Sequence, residues 1–210
     1  MLQQKKVFVN PGVGELWALV AVPENRQEGE KLPLLVFLHG SGERGHDIDD
    51  LCTHAVPRLV KEGREIPAIV FCPQCPNDIN WVKQSSFVKE MVLAVAKEYN
   101  ADESRIALTG ISMGGYGSWD LMGKYPEMWY KAAPVCGGGD TALAPNMKHI
   151  PTRVYHGQKD EAVPFRESVE MVDAMKASGG NVEFFVYPEK GHNVWDTAYG
   201  ETDLIEWLLA

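Results

Sequence analysis

The run Leu34-Leu35-Val36-Phe37-Leu38 contains no polar residue and stops at His39-Gly40-Ser41-Gly42. A strand with water on one face alternates polar and apolar residues, so five apolar residues in succession mark a strand covered on both faces, as in a parallel sheet between layers of helices. Comparable short runs recur at residues 68–72, 105–109, 131–135, 152–155 and 182–186. Most are separated by stretches with helical spacing, expected at residues 50–62, 85–99, 113–124, 164–177 and 197–209. Parallel strands need crossover connections, and these are right-handed, so the alternation predicts an α/β chain with a largely parallel sheet and helices on both faces. Residues 5–9 and 15–22, joined by the turn chemistry of Asn10-Pro11-Gly12, add an antiparallel start and bring the expected count to eight strands. No repeat, low-complexity segment or linker divides the 210 residues, so a single domain over 1–210 is expected. The connection between Val135 and Thr152 is too short for a large cap domain.

Charge and cysteine usage narrow the function. A net charge of -9 without any Lys/Arg-rich run would repel a phosphate backbone, so nucleic acid is not expected as a partner. Neither a signal-peptide pattern nor an apolar run of membrane-spanning length is present, which leads to the expectation of a cytoplasmic protein with no membrane partner. The four cysteines, Cys52, Cys72, Cys75 and Cys136, are too few for a disulfide scaffold in a chain of this length. Cys72-Pro-Gln-Cys75 has the spacing of a zinc or redox half-motif but lacks a second CxxC or a nearby His pair. No HExxH or similar spacing is present either, so no metal site is expected.

In an open α/β sheet the working residues collect on loops at the carboxyl ends of the strands. Gly110-Ile111-Ser112-Met113-Gly114 occupies such a place, where the run 105–109 gives way to a helical stretch, and it has the G-x-S-x-G pattern of a nucleophile elbow. A turn this tight needs glycines two residues either side of the serine, lifts the Ser112 hydroxyl clear of the sheet and leaves the Met113 N–H facing the site of a developing oxyanion. The alternative at this point is a glycine-rich turn that binds phosphate or merely packs closely. After the third strand, the flexible loop His39-Gly40-Ser41-Gly42-Glu43-Arg44-Gly45 suits a second oxyanion donor, assigned to the Ser41 amide with Gly42 as the close alternative.

Asp160 and His192 follow two later strands, in the chain order serine, acid, histidine. A serine hydroxyl is a weak nucleophile at neutral pH and needs an imidazole to take its proton, and that imidazole needs a carboxylate to fix its other nitrogen. Asp160 is preferred to Asp140, Asp196, Glu189 and Asp120 for that role. His39 and His156 precede glycines at strand ends and are expected to satisfy backbone groups, while His46, His54 and His149 read as surface. Trp81 and Trp195 are the candidates for an aromatic wall beside the site. Glu43 and Arg44 could bind a polar group of the substrate, but an ion pair that braces the oxyanion loop is the preferred reading.

Through Phe37–Gly45, Pro73-Gln74-Cys75-Pro76, Gly110–Gly115, the Asp160 loop and Gly191-His192, nearly the whole chain resembles the α/β-hydrolase superfamily. Within it the resemblance is to the phospholipase/carboxylesterase and dienelactone-hydrolase-like branches, which include feruloyl-esterase and polyhydroxybutyrate-depolymerase types. That resemblance implies hydrolysis of small-molecule carboxylic esters without a cofactor. A dienelactone hydrolase proper would carry a cysteine where this chain has Ser112, so lactone specificity does not follow. A serine peptidase of the same fold and a noncatalytic binding protein on it are the alternative readings.

Overall fold

The computed structural model describes residues 1–10, 12 and 14–210. Eight strands form one sheet: β1 (Leu2–Asn10), β2 (Gly14–Val22), β3 (Leu34–Leu38), β4 (Ile69–Pro73), β5 (Ile106–Ile111), β6 (Lys131–Val135), β7 (Thr152–Gly157) and β8 (Val182–Tyr187). Their spatial order is β1-β2-β4-β3-β5-β6-β7-β8. β2 runs antiparallel to both β1 and β4, and every pairing from β4 to β8 is parallel. The turn before β2 is closed in part by Asn10 Oδ1, which accepts from Gly12 N at 2.8 Å. Pro11, the middle residue of the turn read from the sequence, lies outside the described residues.

The apolar runs are strands because they have two faces to bury. Leu34, Val36 and Leu38 of β3 enter one core and Leu35 and Phe37 enter the other, the period of two expected of a pleated strand. The first core is closed by α3 (Trp81–Glu98), α4 (Met113–Lys124) and α6 (Arg166–Ala177), which contribute residues such as Val88, Leu121 and Met171. The second is closed by α1 (Ile48–Leu51), α2 (Ala55–Lys61), α7 (Trp195–Gly200) and α8 (Leu204–Leu209), through residues such as Val56, Tyr199 and Leu208. Between β6 and β7 the short α5 (Ala144–Met147) packs on α4 and α6 with Ala144 and Met147 buried, and it builds no cap over the sheet. No helix among the described residues is long and apolar enough to cross a membrane.

Four of the five expected helices have other limits: α6 begins at Arg166 rather than 164, and the remaining three differ for a local reason. The helix expected over 50–62 is two, because Pro57 lacks an N–H and its ring would strike the carbonyl of Thr53 in a continuous helix. The chain is extended at His54 (φ -135°, ψ 162°) and restarts at Ala55, which places Pro57 in the first turn. The helix expected over 197–209 is likewise divided, with Gly200 ending α7 and a fresh start after Asp203. α3 begins at Trp81 rather than Ser85, because Asn80 caps it by accepting from Lys83 N at 3.0 Å.

Several backbone approaches are closer than side chains permit, and the tightest is at the start of α4. At Gly114, the second residue of α4, an added Cβ would lie 1.9 Å from Leu38 O, and at Gly110 it would lie 2.5 Å from Gly114 O. The end of β5 and the start of α4 thus dock backbone to backbone, with α4 also touching the end of β3. Between the two glycines Ser112 has φ 54° and ψ -115°, a strained left-handed conformation held in place by the hydrogen bond from its N–H to Val135 O at 3.0 Å. Gly114→Ala is therefore expected to lower the urea-unfolding free energy by at least about 3 kcal/mol, toward the upper end for single substitutions. Gly42→Ala, with nothing within 4 Å of the added carbon, serves as the comparison and should stay within about 0.5 kcal/mol of the parent.

Candidate active site

The strained turn leaves Ser112 partly exposed above the sheet, at the start of α4. His192, on the loop after β8, places Nε2 2.9 Å from Ser112 Oγ. Its Nδ1 lies 2.7 Å from Oδ2 of Asp160, on the loop after β7. The carboxylate is itself fixed: Oδ1 accepts from the amides of Ala162 at 2.9 Å and Val163 at 2.8 Å. Oδ2 also faces His156 Nε2 at 3.1 Å, and this second, fully buried imidazole reaches Ser168 Oγ at 2.7 Å through Nδ1. Burial lowers the pKa of His156 below its ordinary value, so it serves as a neutral hydrogen-bonding partner of the acid.

The acid and histidine loops are registered to each other by main chain. Gln158 N donates to Tyr187 O at 2.9 Å and Lys159 N to Lys190 O at 3.0 Å, extending the β7–β8 pairing past the strand ends. A Cβ on Gly157 would lie 2.3 Å from Gly191 O, so the two loops touch where they leave the sheet. The other acids weighed from the sequence are engaged elsewhere. Asp196 pairs with Arg58 at 3.0 Å, Asp120 with Lys124 at 2.8 Å and Glu189 with Lys159, while Asp140 accepts from Ala142 N at 3.0 Å.

Ser41 opens a 3-10 turn over Ser41–Glu43 and lines the same cleft as Ser112 and His192. The backbone just before it faces the serine, since a Cβ on Gly40 would lie 3.7 Å from Ser112 Cβ. Met113 is the first residue of α4, where helix geometry leaves the N–H without an intrahelical acceptor. His39 anchors this loop: Nε2 accepts from Cys75 N at 2.9 Å, so the ring proton sits on Nδ1 and is donated to Gly40 O. Complete burial holds the His39 pKa down to about 4, which keeps this neutral tautomer in place.

Trp81 departs from the sequence expectation. It is fully buried, and its Nε1 donates to His39 O at 2.9 Å, so it supports the oxyanion-side loop from beneath instead of walling a substrate site. The reason is the Asn80 cap, which makes Trp81 the first residue of α3 and turns it into the core. Trp195 does border the cleft, edge-on to His192 with ring centroids 5.1 Å apart.

The expected Glu43–Arg44 ion pair is not formed. Arg44 donates to Ser41 O at 3.0 Å and Ile79 O at 3.3 Å, so the arginine braces the loop through main-chain carbonyls and without Glu43. Glu43 turns inward to the cleft and is 5% exposed, and desolvation raises its carboxyl pKa. His54, expected at the surface, lines the same cleft and packs against Trp195 at 5.4 Å between ring centroids. His54 is the cleft residue that sequence reasoning missed, and Pro57 was the available signal, because it breaks the helix that would have carried His54 away.

All four cysteines are buried free thiols. One group of potential metal ligands comes together among the described residues: Cys136, Asp160 and His192, with their ligand atoms within 4.8 Å of one another. The last two are already hydrogen-bonded to each other, and burial pushes the Cys136 thiol up, away from the thiolate a metal requires.

Comparison with known proteins agrees with this architecture. The prolyl oligopeptidase family profile matches residues 142–210, the stretch that contains Asp160 and His192. A protein assigned as a carboxymethylenebutenolidase in Salmonella typhimurium is 32% identical over 189 residues, covering 77% of this chain and 67% of that protein. The bifunctional acetylxylan esterase/xylanase of Neocallimastix patriciarum is 27% identical over 140 residues, 64% of this chain and 20% of that protein. A solved thermostable esterase superimposes over 98% of this chain with a TM-score of 0.86 at 33% identity. The chain spans about a fifth of the length of the esterase/xylanase and 62% of the thermostable esterase. With the eight-stranded sheet, the elbow and the Salmonella relative together, the chain belongs to the α/β-hydrolase family, in company with esterases and carboxymethylenebutenolidase-like proteins.

Proposed function

We propose that this chain is a serine carboxylesterase that hydrolyses small or accessible carboxylic esters through an acyl-enzyme on Ser112. The observation that carries the reading is the unbroken chain Ser112 Oγ, His192, Asp160, with contacts of 2.9 and 2.7 Å, mounted on a strained strand-to-helix turn. His192 Nε2 takes the proton as Ser112 Oγ attacks the ester carbonyl, and Asp160 stabilises the imidazolium that forms. The amides of Met113 and Ser41 receive the oxyanion. His192 then returns the proton to the leaving alcohol, and in the second half it activates the water that releases the acid.

The match of residues 142–210 to the prolyl oligopeptidase family favours a second reading, cleavage of amides by the same three residues. Parallel panels of p-nitrophenyl esters and p-nitroanilides decide between the two, and higher kcat/KM on the esters is expected. A fluorophosphonate probe should label the protein and lose that labelling in Ser112→Ala, whereas absence of labelling in the parent would mean a noncatalytic protein. Ser112→Ala and His192→Ala should each lower kcat on an ester by on the order of 10^6, and the double variant should fall no further, because the residues act as a unit.

Acyl length follows from the uncovered cleft. With only the short α5 between β6 and β7, a long tail would lie largely in water and forgo most of the roughly 0.8 kcal/mol that each buried methylene can give. Activity on p-nitrophenyl esters from acetate to palmitate is expected to be flat or to peak at the short acids. A steady rise to the long acids would require a channel.

A further inference from the structure

Ser112 stands between two recesses of different character. One, of about 240 Å³, is bordered by the oxyanion loop, Glu43, Thr53, His54, His192 and Trp195. The other, of about 310 Å³, is bordered by Asn80, Val82, Met113 and Tyr116. An ester has an alcohol half and an acyl half, and the proton transfers decide where each goes. In acylation His192 Nε2 delivers its proton to the leaving oxygen, so the alcohol half must extend on the side that His192 borders. That side is the first recess; the acyl half is left to the second, among Val82, Met113 and Tyr116.

The recess on the alcohol side is polar at its base. Glu43 is 5% exposed, and the two imidazoles nearest its carboxyl, His54 Nε2 at 3.8 Å and His39 Nδ1 at 3.9 Å, are beyond hydrogen-bond reach. Arg44, the adjacent cation, is turned away onto the carbonyls of Ser41 and Ile79. No side chain engages the carboxyl, which takes the backbone N–H groups of Gly40 and Glu43 and keeps lone pairs for a donor entering the cleft it lines. Glu43 and Asp50 are the acids that border the recess, and a carboxyl at its base, which desolvation biases toward the uncharged form, can both accept from and donate to a hydroxyl. The volume lies below the roughly 300–1,000 Å³ of sites for drug-sized ligands, which suits one small unit.

We propose that this recess holds the leaving alcohol of the ester and that this alcohol is hydroxyl-rich, a sugar or polyol unit, with Glu43 as the specificity-determining residue that binds one of its hydroxyls and His54 flanking it. The assignment rests on the esterase reading above and adds to it the chemical class of the alcohol.

The test keeps the acyl group constant and varies the alcohol: kcat/KM is measured on a glucose monoacetate, cyclohexyl acetate, ethyl acetate and acetylcholine. The sugar ester is expected to exceed cyclohexyl acetate by at least roughly tenfold, the discrimination of one buried hydrogen bond to an acidic group. In Glu43→Leu that ratio should collapse toward one, and Glu43→Gln, which can still bond a hydroxyl, should retain part of it. Should Glu43→Leu not fold, the parent ratio and His54→Phe decide the matter, because the phenyl ring keeps the packing on Trp195 and removes Nε2; a severalfold loss of the ratio is expected. Equal rates on sugar and cyclohexyl acetate in the parent, an unchanged ratio in folded Glu43→Leu, or a preference for acetylcholine would each overturn the proposal. Failure of the esterase reading has a separate signature: no hydrolysis of any of the four acetates and no fluorophosphonate labelling of Ser112.

Discussion

The backbone contact between α4 and the end of β3 is the constraint on which the site depends. A Cβ at Gly114 would stand 1.9 Å from Leu38 O, so the helix can lie against the sheet only because that position is glycine. From this approach follow the strained φ of Ser112, the exposure of its hydroxyl and the placing of Met113 N–H at the open end of the helix. The strain, of order 1–3 kcal/mol for such a residue, is held by two cores that clamp β5 from both faces.

Around that fixed point the oxyanion loop is built from interactions that work because they are dry. His39 is neutral, donates to Gly40 O, accepts from Cys75 N and packs edge-to-face with the Trp81 indole, whose N–H donates to the His39 carbonyl. A protonated His39 would lose its acceptor for Cys75 N, and burial prevents that protonation. The Cys72-Pro-Gln-Cys75 segment therefore has a structural part to play: the Cys75 amide fixes the imidazole while the thiols pack in the core.

Much of the fold was legible because buried parallel strands leave an unambiguous trace. Leu34–Leu38 and Lys131–Val135 have the same limits in sequence and structure, and so does Met113–Lys124, which follows the Gly-Ile-Ser turn. Helix ends were less legible because they turn on single residues that a periodic pattern passes over: Asn80 as a cap, Pro57 as a break, Gly200 as a stop. One of those misses moved Trp81 from a supposed wall into the core. The positions of Ser112, Asp160 and His192 could be read from strand ends, where topology brings loops together. The inward turn of Glu43 and the approach of His54 could not, because Pro57 marks only where the helix breaks, and how the divided α1–α2 segment then folds back over the oxyanion loop is a tertiary matter.

The main-chain stitching of the β7 and β8 loops has a consequence for how such a protein can change. Asp160 is fixed by the amides of Ala162 and Val163 and by His156, and the histidine loop is tied to the acid loop by Gln158 and Lys159. Of these bonds, none involves Ser112 or the turn that carries it. The acid–histidine pair is thus a prefabricated unit, and the nucleophile is a separate fitting presented to it by β5. In this chain the attacking atom can be exchanged, oxygen for sulfur, at the one position 112 while every bond that builds the proton-handling half stays as it is.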